Sequence, residues 1–95
     1  MPANLPTLMS LYLRQGVSLQ DYDSRYRQFL KRLRQARLDA SLTQEQVAER
    51  LGKPQSFISK SENGERRVDA LELEAFASLY GKPIDYFLDT DTPPE

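Results

Sequence analysis

From residue 18 onward the apolar positions fall in steps of three and four. Leu19, Tyr22, Tyr26, Phe29, Leu33, Ala36 and Ala40 form one stripe, the spacing that gathers side chains on one face of an α-helix. The stripe predicts a long first helix over about 18–40, with Ser18 or Asp23 capping the free amides of its first turn. Its seven-residue repeat also suits a coiled coil, but it lasts only about three heptads and carries aromatics, which favours a core-facing stripe. The remaining positions, Arg25, Arg27, Lys31, Arg32, Arg34 and Arg37, make the other face basic.

A second helix is predicted immediately afterwards. In Thr43-Gln44-Glu45-Gln46 the Thr43 hydroxyl can take the Gln46 amide while the Gln46 side chain reaches back, a capping box. Leu42, Val47, Ala48 and Leu51 are its apolar positions, and Gly52 suits the left-handed residue that closes a helix. Lys53-Pro54 then permits only a tight connection to a third helix over about 54–61, because proline pre-sets the φ of a helix start. In it Phe57, Ile58 and Ser61 face inward, and Gln55, Ser56, Ser59 and Lys60 face outward. A fourth helix opens at Asp69, with Glu72 three residues on, and buries Leu71, Leu73, Phe76, Ala77 and Leu79 up to Gly81. A short fifth helix from Pro83 carries Ile84, Tyr86, Phe87 and Leu88. No stretch reads as a strand, so the fold class is all-α with five helices.

Both ends read differently from the middle. In residues 1–17, Leu5, Leu8, Met9, Tyr12 and Leu13 can share one helix face, but Pro2, Pro6 and Gly16 interrupt it. The expectation is an amino-terminal arm or weak helix over 1–17, a single domain over 18–88, and a disordered acidic tail over 89–95.

Composition narrows the function. The 95 residues are 39% apolar and 28% charged, the balance of one globular domain. With no cysteine and no histidine, the chain lacks a thiol nucleophile, the usual general base and the common transition-metal ligands. No glycine-rich phosphate loop or close carboxylate cluster is present, so neither an enzyme, a metal site nor a cofactor is expected. No apolar run approaches the ~20 residues of a membrane span and no signal peptide is legible, which points to the cytoplasm. Charge is uneven: residues 24–67 carry eleven Lys and Arg against five acids, whereas 68–95 carry one lysine against seven acids. A basic middle beside an acidic end suits a polyanion on one face.

The segment KPQSFISKSENGERR is unusual for a surface helix. Its outward face is small, polar and free of acid, and a basic loop follows. Such a face fits close approach to another molecule. With the preceding helix and the Gly52-Lys53 turn it forms a helix-turn-helix unit.

The stretch from Leu30 to Leu88 resembles the phage lambda repressor/Cro-type (XRE-type) helix-turn-helix family. The resemblance rests on RLRQAR, LTQEQVAERLG, the SxxSKSENGERR segment and the closing LYGKPIDYFL. Two departures stand out. Ser41 occupies a place where glycine is common, and Ser61 replaces a larger apolar residue, which is expected to loosen the packing there. The resemblance implies a repressor-type domain that binds double-stranded DNA as a homodimer on an inverted repeat. It assigns Gln55, Ser56, Ser59 and Lys60 to base edges, and Gln44, Asn63, Arg66 and Arg67 to phosphates. Arg37 and Glu62 are implied to form a structural ion pair between the first and third helices. Ile84, Tyr86, Phe87 and Leu88 are the candidate dimer surface, with the amino-terminal arm second; the same four residues could equally complete the monomer core. A rival reading is an antitoxin or interaction module whose main partner is a protein, a toxin or another regulator. RNA binding has no aromatic stacking platform to support it.

Overall fold

A computed structural model describes residues 21–88. Five α-helices follow one another: α1 Tyr22–Asp39, α2 Gln44–Leu51, α3 Gln55–Asn63, α4 Ala70–Tyr80 and α5 Ile84–Leu88. Among the described residues there is no strand. α1 is the central post, touching α3, α4 and α5, while α2 packs chiefly on α3.

The α1 stripe behaves as its spacing predicts in its middle; Tyr22 is 40% exposed and Leu19 lies outside the described residues. Phe29, Leu33 and Ala36 are buried, and they meet Val47 and Ala48 of α2, Ile58 of α3, Phe76, Ala77 and Tyr80 of α4, and Phe87 of α5 in one core. Rings link the helices, Phe57 of α3 to Phe76 of α4 at 6.5 Å and Phe29 of α1 to Phe87 of α5 at 6.4 Å between centroids. Full burial of a side chain such as Leu33 is worth about 1.5–3 kcal/mol.

Local signals account for most helix ends. Thr43 accepts from the Gln46 amide at 3.1 Å, and the Gln46 side chain accepts from the Thr43 amide at 2.9 Å. Asp69 and Glu72 repeat the arrangement at α4. The start of α1 differs from expectation. Asp21 precedes it and makes no side-chain cap, Asp23 lies within the first turn rather than before it, and Ser18 is outside the described residues. One turn further on, the Val68 amide donates to the Tyr26 hydroxyl at 3.0 Å, tying α1 to the segment before α4.

α1, α2 and α4 close with one motif. At the end of α1 the Leu42 amide donates to the Arg37 carbonyl and the Ser41 amide to the Leu38 carbonyl, the two bonds of a Schellman turn. Lys53 and Gly52 make the equivalent bonds after α2, as do Lys82 and Gly81 after α4. The motif requires a left-handed residue, supplied by glycine in the latter two and by Ser41, at φ 59°, in the first.

Three positions depart from the expected pattern. Leu71 was expected in the core but is 77% exposed; it lies ~200° around α4 from Leu73, so the two cannot share a face. Tyr80 takes the inward place, and burial, with the nearby Glu62 carboxylate, pushes its phenol well above the ordinary value. Arg32, expected on the basic surface, is 3% exposed. It lies under α5, donating from Nη1 to the Tyr86 carbonyl at 3.2 Å with its guanidinium 5.5 Å from the Tyr86 ring. A carbonyl in the last turn of a helix has no partner within the helix, and Arg32 supplies one.

Candidate nucleic-acid interface

The turn Gly52-Lys53-Pro54 sets α3 across α2 and presents the start of α3 outward. Gln55, Ser56 and Lys60 are exposed and Ser59 is half-buried, whereas Ile58 and Ser61 on the opposite side are buried. Fewer than two turns of helix therefore offer an amide, two hydroxyls and an ammonium, with no aromatic or branched side chain among them. Ser59 donates to the Ser56 carbonyl at 3.4 Å, which keeps its side chain close to the helix.

A buried ion pair fixes this helix to α1. Arg37 Nε donates to Glu62 Oε2 at 2.6 Å and Nη2 to Oε1 at 3.1 Å, while Nη1 reaches the Leu42 carbonyl at 2.9 Å. The hydrogen bond to Glu62, larger than the opposing effect of burial, raises the Arg37 pKa. The pairing expected of these residues is present, as a two-pronged contact.

Gln44 extends the pair toward the surface. Its Nε2 donates to Glu62 Oε1 at 3.0 Å, and its Oε1 accepts from Gln55 Nε2 at 3.4 Å. The ionised carboxylate can only accept, so the Gln44 nitrogen must face Glu62 and its oxygen must face Gln55. The amide orientation is thus set from the core outward. Gln55 keeps a second N–H and its Oε1 free for another partner. The resemblance implies a phosphate contact for Gln44 and a base contact for Gln55, and no bond between them. They stand eleven residues apart on different helices, so no local spacing announces the bond.

The loop after α3 is more internally tied than its two arginines suggested. Asn63 accepts from the Glu65 amide at 3.0 Å and donates to the Glu65 carboxylate at 2.8 Å, forming the turn that leaves the helix. Arg66, expected to hold a phosphate, turns inward instead. Nη1 and Nη2 donate to the two Glu72 oxygens at 3.0 and 2.9 Å, Nη1 also reaches the Ser61 hydroxyl at 3.3 Å, and the guanidinium lies 4.1 Å from the Phe57 ring centre. An acid, a hydroxyl and an aromatic face together outcompete solvent for one planar cation. Arg66 holds the carboxyl of Glu72 below the usual range. Ser61 does not loosen the packing: it is fully buried, donates to the Phe57 carbonyl at 2.6 Å and receives Arg66. Arg67 is exposed and lies over the Tyr22 and Tyr26 rings, 4.9 and 4.4 Å from their centres.

The carboxy-terminal cluster divides. Phe87 is 1% exposed and belongs to the monomer core, so it is not free to form a subunit surface. Ile84 is exposed and Tyr86 half-buried, and Leu88 lines a groove with Tyr22, Phe29 and Leu73. Among the described residues no helix is long and apolar enough to cross a membrane.

Comparison with known proteins agrees with this geometry. Residues 33–87 match the family model described as helix-turn-helix. The solved structure of an XRE-family like protein from Pseudomonas syringae pv. tomato str. DC3000 is 42% identical, covering 73% of this chain and 84% of its own, with a TM-score of 0.68. No curated protein matches the chain.

Proposed function

Because the chain belongs to the XRE-type helix-turn-helix family, a family of DNA-binding regulators and not of enzymes, we propose that it reads a specific duplex sequence by laying α3 in the major groove. The observation that carries this is the Gln55 side chain, exposed at the start of α3 and held by Gln44. A glutamine offering one N–H and one carbonyl oxygen can bond N7 and N6 of adenine together, worth ~1–3 kcal/mol of discrimination. Ser56, Ser59 and Lys60 share that face and complete the base-reading set, with Lys60 suited to guanine or to a phosphate.

The backbone contacts follow from the same pose. The free amides that begin α2, beside Gln44, form an anion site, and Asn63 and Arg67 border the other side of α3. Phosphates hold register and orientation while base edges hold sequence. One module covers too little duplex to be selective, so two copies act on an inverted repeat with half-site centres ~34 Å apart. Ile84, Tyr86 and Leu88, the members of the carboxy-terminal cluster outside the core, are the proposed subunit contact.

The test is selection of bound duplexes from a random pool by the purified protein and by Gln55→Ala, each at two salt concentrations. An inverted repeat with ~10 bp between half-site centres, loosened at one base pair in the variant, is the expected result. Affinity falling steeply with salt reports the phosphate contacts. A pool with no enriched sequence would transfer the function to a protein partner, and exposed Leu71 on α4 marks where such a partner would be sought.

A further inference from the structure

On the DNA-binding reading above, we propose that Tyr22 and Tyr26 are positioning residues for the duplex contact: their rings hold the Arg67 guanidinium in place for a backbone phosphate before DNA arrives. Four residues apart, the two tyrosines share one face at the start of α1. Their rings stack at 5.8 Å between centroids, 9° from parallel. Arg67 Cζ lies 4.9 Å from the Tyr22 centroid and 4.4 Å from that of Tyr26, both within reach of a cation–π contact.

The loop is tied at the same place. The amide of Val68, the residue after Arg67, donates to the Tyr26 hydroxyl at 3.0 Å. One tyrosine therefore holds the main chain beside Arg67, and both hold its side chain. Tyr26 packs against the core, and its ring meets that of Phe29 at 5.2 Å. The platform is thus carried by the fold, and it stands on α1, a helix with no residue assigned above to bases or phosphates.

Rings in place of an acid make the difference between the two neighbouring arginines. Arg66 donates from two nitrogens to the Glu72 carboxylate. A ring face instead attracts the cation electrostatically and leaves the in-plane N–H donors of the guanidinium for an oxyanion. The acids along the same loop hold other partners: Glu65 accepts from Asn63, Asp69 from the Glu72 amide, and Glu72 from Arg66. Arg67 is exposed, and it enters none of the three ion pairs among the described residues. An unrestrained surface arginine loses much rotamer freedom when a phosphate fixes it. Arg67 gives up part of that freedom on folding, so less is lost when the duplex binds.

The probe is a short mixed-sequence duplex at low salt, whose binding depends on phosphates and not on an operator. Tyr22 is 40% exposed, so Tyr22→Leu removes a ring without opening the core. The variant should bind the duplex about three- to tenfold more weakly, the range set by immobilising one long side chain, and Tyr22→Phe, which keeps a ring face, should restore the affinity. In the Arg67→Ala protein the same Tyr22→Leu change should have an effect below about twofold, because the two residues act as one unit. Without DNA, the Arg67 side chain of the natural protein should show a high NMR order parameter that falls in Tyr22→Leu. Equal losses from Tyr22→Leu with and without Arg67 would reduce Tyr22 to a structural residue and overturn the proposal. So would unchanged binding by Tyr22→Leu, or an Arg67 side chain as mobile in the natural protein as in the variant. If Arg67→Ala alone leaves binding unchanged, Arg67 meets no phosphate, and the positioning role is lost while DNA binding through α2 and α3 stands. Absence of salt-dependent binding by the natural protein would overturn the DNA-binding reading itself.

Discussion

Gln44 donates its side-chain nitrogen to Glu62 Oε1 at 3.0 Å, joining the first residue of α2 to the buried carboxylate of α3. Through this one bond the ion pair that holds the fold together also orients the side chain proposed to read sequence. Stability and recognition share an atom, yet substitutions can separate them.

Arg37→Met leaves Glu62 buried without its cation. The expected loss is about 3–5 kcal/mol, a large share of the ~5–15 kcal/mol of a small domain. Arg37→Met with Glu62→Leu removes both charges and recovers most of that loss, but leaves Gln44 without its acceptor. Urea titration of the three proteins measures the first effect, and operator discrimination by the double variant measures the second. A double variant as unstable as the single one would show that the pair contributes more than mutual compensation.

Gln44→Ala releases Gln55 as well as its own contact. We expect Gln44→Ala and Gln55→Ala to relax the same base pair, with the double variant little worse than Gln55→Ala alone. The coupling in a double-mutant cycle of affinities is then about 0.5–3 kcal/mol. Additive losses would mean that the two glutamines act on DNA independently.

Ser41→Gly is expected to stabilise the protein. A left-handed L-residue costs roughly 1–2 kcal/mol, and the extra freedom glycine gives the unfolded chain returns about 0.4–1 kcal/mol of that. The net gain is near 0.5 kcal/mol, a melting temperature higher by a few degrees. Calorimetry decides it, and a lower melting temperature would point to a compensating role for the Ser41 hydroxyl.

Arg66 and Glu72 set an acid limb. The hydrogen bonds from Arg66 hold the folded pKa of Glu72 below its ordinary 4.5. A depressed carboxylate stabilises fully above its unfolded value and loses that contribution as pH falls through the folded one. Below about pH 4.5 the natural protein should therefore lose stability more steeply than Glu72→Gln, which starts lower by about 1 kcal/mol for this partly exposed pair. Arg66→Ala should cost a similar amount and leave the salt dependence of DNA binding unchanged, whereas Arg67→Ala should reduce the salt slope by ~1. A reduced slope for Arg66→Ala would restore it to the phosphate contacts.

What the sequence determined by itself is the set of local devices: the α1 stripe, the Thr43 and Asp69 capping boxes, the stops at Gly52 and Gly81, and the small polar start of α3. Each is written within one helix or its caps, where backbone geometry and three- or four-residue spacing act directly. The Arg37–Glu62 pair was also legible, through family resemblance and not through spacing. Tertiary packing alone decided which cations are free. Arg32, Arg66 and Arg67 look alike along the chain, but Arg32 meets the end of α5, Arg66 meets Glu72, Ser61 and Phe57, and Arg67 lies over two tyrosines. It decided likewise that Tyr80 and not Leu71 points inward, and that Gln44 bridges Glu62 to Gln55. A side chain's final partner depends on what distant helices bring within ~3 Å of its polar atoms, and that distance is set only when the core closes.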